Sequence, residues 1–167
     1  MLNLDLSAPS KKMRSIPAED IAMRCRVRLA RNLADERFPD WATERDREQV
    51  FGKVRDALHV EAPDFRVEPV AAFEEQERDV LCEAHLISKD LLERTAGGGV
   101  AYAPDGSVCV MINEEDHLRI QGFSAGLDML GAWHAADALD TRLERHLNYA
   151  WSPKLGYLTA CPSNVGT

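Results

Sequence analysis

The feature that most constrains the fold is a period-two segment near the start of the chain. Ile21, Met23, Cys25, Val27 and Leu29 alternate with Ala22, Arg24, Arg26, Arg28 and Ala30. Successive side chains of a strand point to opposite faces. The pattern therefore predicts a β-strand with one apolar face and one face carrying Arg24, Arg26 and Arg28. Like charges two residues apart repel. Such a face is either solvated and laced with salt bridges, the commoner case for a charge run, or a seat for a polyanion. Arginine suits phosphate because its planar fork donates hydrogen bonds in pairs.

The rest of the chain supplies partners for that strand. Thr43 and Asp46 have the spacing of an N-cap and its reciprocal partner, and Val50, Val54 and Leu58 recur every fourth residue. Together they predict an amphipathic helix over 44–59. Residues 65–73 and 79–87 read as extended, and a short helix over 89–94 is broken by Gly97-Gly98-Gly99. Segments 100–103 and 108–112 flank Pro104-Asp105-Gly106-Ser107, which predicts a hairpin. A strand over 118–123 and a helix over 125–150 follow. The helix has Leu127, Leu130, His134, Leu139, Leu143 and Leu147 on its apolar stripe, which Trp133 widens. The expected fold class is α/β (α+β): a mainly antiparallel sheet flanked by helices. Residues 1–20 read as an arm and 21–167 as one domain.

Composition narrows the function classes. A net charge of −8 argues against nucleic acid as the main partner, since phosphate backbones call for an excess of Lys and Arg. Cys25, Cys82, Cys109 and Cys161 are scattered, with no C-x-x-C pair and hence no zinc or redox motif. No bound metal is expected from ligand spacing. Residues 1–15 lack the apolar core of a signal peptide, and no apolar run approaches the roughly 18 residues of a membrane span. The expectation is a cytoplasmic protein with reduced thiols and no membrane contact.

Two further clusters can carry chemistry. Glu114, Glu115 and Asp116 are consecutive carboxylates just after an apolar strand, between Asn113 and His117-Leu118-Arg119. They are either an acidic loop in water or a site for a cation, and a guanidinium fits best because a carboxylate accepts two of its N–H groups. Cys161-Pro162-Ser163 is the other cluster. A lone cysteine is usually a small buried apolar residue, but a hydroxyl two residues on can stabilise a thiolate.

Four segments, in order, resemble one family. Arg26-Val27-Arg28-Leu29-Ala30-Arg31-Asn32-Leu33 resembles a nucleotide-phosphate strand, and Glu83-Ala84-His85-Leu86-Ile87-Ser88 a segment of a bacterial branch. Asn113 through Arg119 resembles an Asn-Glu-Glu-Asp-His signature. Gly156-Tyr157-Leu158-Thr159 with Cys161-Pro162-Ser163-Asn164-Val165-Gly166-Thr167 resembles a cysteine motif. The family is the ATP:guanidino phosphotransferases, or phosphagen kinases, and the branch is that of the bacterial protein arginine kinases. The resemblance covers about residues 20–167.

The resemblance implies a glutamine-synthetase-like catalytic domain and phosphoryl transfer from ATP, with Mg²⁺ bridging its phosphates. It implies that Arg26 and Arg28 clamp the phosphates. Arg24, Cys25 and Val27 line the nucleotide site, and His85 and Arg119 join it. Glu115, with Glu114, holds the acceptor guanidinium, and Cys161 faces it as a thiolate. Many relatives carry small hydroxyl residues where Arg24 and Cys25 stand. The family continues past its glycine-threonine into strands with further phosphate-binding arginines, so the resemblance implies an incomplete catalytic domain, inactive alone. It also implies that an N-terminal helical domain found in larger members is missing. The acceptor is then an arginine side chain in a protein, with an activator protein and a proteolytic unfoldase as partners. The alternatives are a free-guanidine kinase and a truncated, non-catalytic module that binds nucleotide or guanidinium.

Overall fold

In a computed structural model, which describes residues 22–94 and 96–165, the sheet is built around the strands the alternation predicts. Strands β1 (Arg24–Arg31), β2 (Arg66–Pro69), β3 (Gly99–Tyr102), β4 (Val108–Ile112) and β5 (Leu118–Ala125) form a five-stranded sheet in the order β1-β5-β4-β3-β2. Every pairing in it is antiparallel. A two-stranded ribbon, β6 (Trp151–Ser152) with β7 (Gly156–Tyr157), follows. The expected arm over 1–20 lies outside the described residues, as do Ile21, Gly166 and Thr167. Among the described residues no helix is long and apolar enough to cross a membrane.

Helices cover both faces of the sheet. On one face, α1 (Glu44–Glu61) and α4 (Met129–Leu143) pack Val50, Val54, Leu58, Leu139 and Leu143 against Leu29, Val110, Ile112 and Ile120. On the other, α2 (Glu75–Glu83) and α3 (Lys89–Glu93) bring Leu81 and Leu91 onto Val100, Cys109 and Met111. Strand β4 is buried on both sides, which explains its unbroken apolar run. Helices α2 and α3 lie over the β3–β4 part of that face. Beyond them Arg24, Arg26 and Arg28 of β1 remain exposed.

The cap of α1 forms as its spacing predicts. The Asp46 N–H donates to Thr43 Oγ1 at 3.2 Å, and the Thr43 N–H donates to Asp46 Oδ2 at 2.9 Å. Three expectations are corrected. Residues 79–87 are not extended: Glu75–Glu83 is helical, closed at its start by a capping box between Glu74 and Glu77. The alternation of Val80 and Cys82 with their neighbours is incidental, because only Leu81 of that helix is fully buried. Residues 65–73 form a strand only at Arg66–Pro69 and then turn through a 3-10 segment, Val70–Ala72.

The third correction concerns α4. It runs from Met129 to Leu143, with Asp128 as its N-cap, and its sheet-facing stripe is Ala132, Ala136, Leu139, Asp140 and Leu143. Leu127 and Leu130 are exposed, as are Trp133 and His134. The cause lies on β5. A Cβ placed on Gly122 would sit 2.0 Å from the Ala132 carbonyl oxygen. The helix backbone rides directly on the strand here, so only small residues fit beneath it and the large ones turn outward. Gly122→Ala must push α4 off the sheet. It is expected to lower stability by about 1–3 kcal/mol, the usual range for overpacking, read from thermal or denaturant unfolding.

Candidate active site

The exposed arginines lie on one face by register. Antiparallel pairing sets Arg24 opposite Ala125, Arg26 opposite Phe123, Arg28 opposite Gln121 and Ala30 opposite Arg119. All these side chains therefore share a face. Arg24 stacks on the Phe123 ring at 3.9 Å and donates to the Gly106 carbonyl at 3.0 Å. Arg26 donates to Gln121 Oε1 at 3.2 Å. Burial, then the charges of Arg28, Arg119 and Arg24, pull the Arg26 pKa below its usual value. Among the described residues none of Arg24, Arg26 and Arg28 has a carboxylate within ion-pair distance. The salt-bridged surface that such a charge run usually makes is absent here.

Cys25 and Val27 sit between these arginines, so their side chains project to the opposite face, toward α4, where Cys25 is buried. Only their main chain is available to the arginine face. His85 is exposed, in a left-handed turn (φ 59°) between α2 and α3. Its carbonyl oxygen lies 3.4 Å from Gln121 Nε2. Gln121, fully buried, thus connects Arg26 to the His85 turn. Beneath it Cys109 donates to the Leu86 carbonyl at 3.1 Å, and burial pushes its thiol pKa up to about 12, so it stays a neutral donor.

The three consecutive carboxylates have three different environments. Glu114 is buried, with Oε2 in charge contact with Arg119 Nη1 at 2.8 Å. Glu115 is partly exposed and accepts from Arg119 Nη2 at 3.0 Å and from Asn164 Nδ2 at 3.4 Å. Asp116 is buried and accepts from Asn32 Nδ2 at 2.6 Å and from the Ala160 N–H at 2.7 Å. Asn113, at φ 57°, donates to the Arg47 and Gly97 carbonyls and anchors the turn that carries them. The run is therefore not a solvated loop. One member is ion-paired in the interior, one reaches the surface, and one fastens the C-terminal segment.

Asn32 is the other half of that fastening. Besides Asp116, its amide donates to the Leu158 carbonyl at 3.1 Å, and its Oδ1 accepts from the His117 N–H at 2.9 Å. His117 Nδ1 accepts from the Leu33 N–H at 3.0 Å, so its proton lies on Nε2, 2.9 Å from the Arg37 carbonyl. Alongside, Arg31 is buried against Asp140 at 2.6 Å and stacks under Tyr157 at 3.7 Å, holding the ribbon to α4. The cysteine segment follows. Cys161 is half-buried, outside both apolar clusters, with its sulfur 2.9 Å from Ser163 Oγ. A cleft of about 190 Å³ lined by Arg28, Leu29, Ala30, Arg119 and Asn164 joins the arginine face to this segment.

Arg28, Arg119 and Asn164 of the cysteine segment thus meet around one cleft, with Glu115 bonded to Arg119 and Asn164, Glu114 paired behind Arg119, and Arg24, Arg26 and His85 on the same side of the sheet. Reading the sequence missed Asn32, Gln121, Asn164 and the Arg31–Asp140 pair. Arg31, Asn32 and Asn164 stand inside the resemblance segments without a role assigned there, and Gln121 and Asp140 are marked only by polarity among apolar neighbours.

Two measurements test this division of labour. Asp116→Ala leaves the Asn32 amide and the Ala160 N–H without their buried charged acceptor. It is expected to cost about 2–3 kcal/mol and to speed thiol labelling of Cys161. Glu115→Ala removes only a partly exposed pair and should cost under about 1 kcal/mol. The His117 ring gives a pH signature. Burial lowers its pKa, outweighing the Arg37 carbonyl, Glu36 and Asp116. An unfolded histidine binds its proton near 6.5, so on acidification the unfolded state takes up the proton first. The contribution of the neutral ring is complete above about pH 6.5 and is lost as pH falls through the lower folded value. Melting temperature should therefore fall more steeply from pH 7 to 5 in the parent than in His117→Gln.

A family model described as ATP:guanido phosphotransferase, C-terminal catalytic domain, matches residues 48–167. The protein-arginine kinase of Geobacillus stearothermophilus is 40% identical over 155 residues, covering 90% of this chain and 43% of that protein. That of Moorella thermoacetica is 40% identical over 177 residues, covering 99% and 49%. The chain spans about half the length of the curated relatives it matches. Among solved structures, substrate-free duplicated taurocyamine kinase from Schistosoma mansoni superposes with a TM-score of 0.80 at 24% identity, covering 93% of this chain and 24% of that one. Lombricine kinase does so at 0.74 and 20% identity, covering 95% and 54%. These two likenesses bear on the fold, and it is the phosphagen-kinase sheet. Four sequence segments in order, the sheet that carries them and the matched catalytic domain agree, and the chain belongs to the ATP:guanido phosphotransferase family, whose phosphoryl donor is ATP.

Proposed function

We propose that this chain carries the phosphate-binding face and the guanidinium-holding carboxylate of a kinase that transfers the γ-phosphoryl group of ATP to arginine side chains of proteins. The observation that carries this reading is a juxtaposition at one cleft. Arg28, without a carboxylate partner among the described residues, lines it beside Arg119, and Arg119 is paired with Glu115, the surface-reaching member of a carboxylate triplet. The relatives named protein-arginine kinase, at about 40% identity, support the choice of acceptor.

Phosphoryl transfer needs alignment and charge neutralisation more than covalent help. Arg26 and Arg28 grip the phosphates, which arrive as the Mg²⁺ complex. Arg24, fixed on Phe123, extends the positive face, with the main chain of Cys25 and Val27 between. His85 edges the nucleotide side, and Arg119 reaches the transferring group. Glu115 accepts two N–H groups of the acceptor guanidinium, and Cys161 forms the second wall. A guanidinium, with a pKa above about 12, is a poor nucleophile until it loses a proton. Glu115 takes that proton as the guanidino nitrogen forms its bond to phosphorus. The bond from phosphorus to the β-phosphate oxygen breaks, and ADP leaves. On this reading the protein works in the cytoplasm, with the activator protein and proteolytic unfoldase of its branch.

The test uses the full-length protein with γ-labelled ATP, Mg²⁺ and an unfolded arginine-rich protein. Acid-labile label on arginine is expected. Glu115→Gln should reduce its formation by about 10²- to 10³-fold, the usual loss when an aligned charge is removed. Arg28→Ala should weaken nucleotide binding by about tenfold or more while leaving arginine binding nearly unchanged. Acid-stable label on hydroxyl side chains, or nucleotide binding indifferent to Arg28→Ala, would overturn the reading. Binding of both ligands without transfer would leave a non-catalytic module.

A further inference from the structure

Arg119 is shared between two jobs that cannot be done at once. Its Nη1 lies 2.8 Å from Glu114 Oε2 and its Nη2 3.0 Å from Glu115 Oε2. The guanidinium that grips Glu115 in this structure is therefore the protein's own. A second donor, Asn164 Nδ2, falls on the same Glu115 oxygen at 3.4 Å. A guanidinium held bidentately needs both oxygens of a carboxylate. An incoming arginine side chain and Arg119 thus compete for Oε2, and two guanidinium groups converging there also repel. Arg119 also lines the cleft with Arg28, on the arginine face.

We propose that Arg119 acts as an internal stand-in for the acceptor guanidinium, masking Glu115 until nucleotide phosphate draws it away. The two substrates then bind with positive coupling. The inference rests on the functional reading above and adds to it the residue through which the two substrates are coupled. The two carboxylates differ in what they can release. Glu114 is buried, so separating it from Arg119 altogether would leave an uncompensated interior charge. Glu115 is partly exposed, and water can replace a lost contact there. Phosphate oxygens arriving from the Arg28 side offer Nη2 a stronger acceptor. Nη2 leaves Glu115 while Nη1 stays near Glu114, and Oε2 becomes available to the acceptor. No covalent bond changes in this step.

Linkage makes the coupling reciprocal: whatever factor nucleotide adds to arginine binding, arginine adds to nucleotide binding. Coupling between sites typically amounts to about 5- to 150-fold, and a value of at least about fivefold is expected here. The experiment is calorimetric titration of the 167-residue chain with N-acetyl-arginine amide, with and without saturating magnesium and a non-hydrolysable ATP analogue. The parent should bind the blocked arginine at least about fivefold more tightly when nucleotide is present.

The decisive variant is Glu114→Gln/Arg119→Gln, which removes the buried charge together with its partner and keeps Glu115. Without nucleotide it should bind the blocked arginine as tightly as the nucleotide-loaded parent, with the coupling factor near one. Arg119→Lys, which keeps a charge for Glu114 but offers one point of contact, should fall between; it serves if the double variant melts below the assay temperature. In the parent, nucleotide-independent arginine binding overturns the proposal. So does a double variant that binds arginine more weakly than the nucleotide-free parent. Absence of any nucleotide or arginine binding to the parent would instead overturn the functional reading itself.

Discussion

The hydrogen bond between Asn32 and Asp116 is the contact on which the site depends. It joins residues 84 apart in sequence, at the end of β1 and in the turn before β5. Those strands are already paired along their whole length, so the side-chain contact only extends a register the backbone has set. Its effect lies on the far side. Asp116 also receives the Ala160 N–H, and Asn32 also reaches the Leu158 carbonyl. The segment that carries Cys161 is thereby fixed to the end of the sheet. The acidic turn and the cysteine segment meet because one buried carboxylate and one buried amide each place a hydrogen bond on that segment.

Around that junction the charges are segregated by depth. Two buried carboxylates are matched by arginines, Asp140 by Arg31 and Glu114 by Arg119, and a third, Asp116, is held by the Asn32 amide and the Ala160 N–H. Arg24, Arg26 and Arg28 are exposed and lack such partners, which water permits and the interior does not. Mutual repulsion on this open part of the face is tolerable because β1 is held by its full pairing with β5 and by α4 on its other side. A phosphate group would relieve the repulsion, so the face is stable empty and more stable filled.

Much of this is legible in the sequence. The alternation over 21–30 places the arginines together on one strand face, and β1 carries them so. The turn residues at 104–107 mark the β3–β4 hairpin, and Thr43 with Asp46 caps α1 as spaced. What misled was equally local. Val80 and Cys82 alternate with polar neighbours, yet Glu74 and Glu77 start a helix there. Leucines mark the beginning of α4 as apolar, yet Gly122 admits only alanines beneath that part of the helix. In both cases the deciding partner lay elsewhere in the chain, where periodicity says nothing.

The sequence by itself determined the family, through motifs whose order no single strand or helix requires, and the strand faces, because period two is a property of the backbone. Tertiary structure alone decided what each carboxylate of the triplet does. Glu114, Glu115 and Asp116 are chemically alike and adjacent, and nothing in their spacing says which is buried against Arg119, which reaches the surface and which ties down the C-terminal segment. Nor does spacing reveal that Arg119 bridges Glu114 and Glu115. The role of an ionisable group is set by its solvent exposure and its nearest opposite charge. Both depend on contacts between distant residues that exist only once the chain has folded.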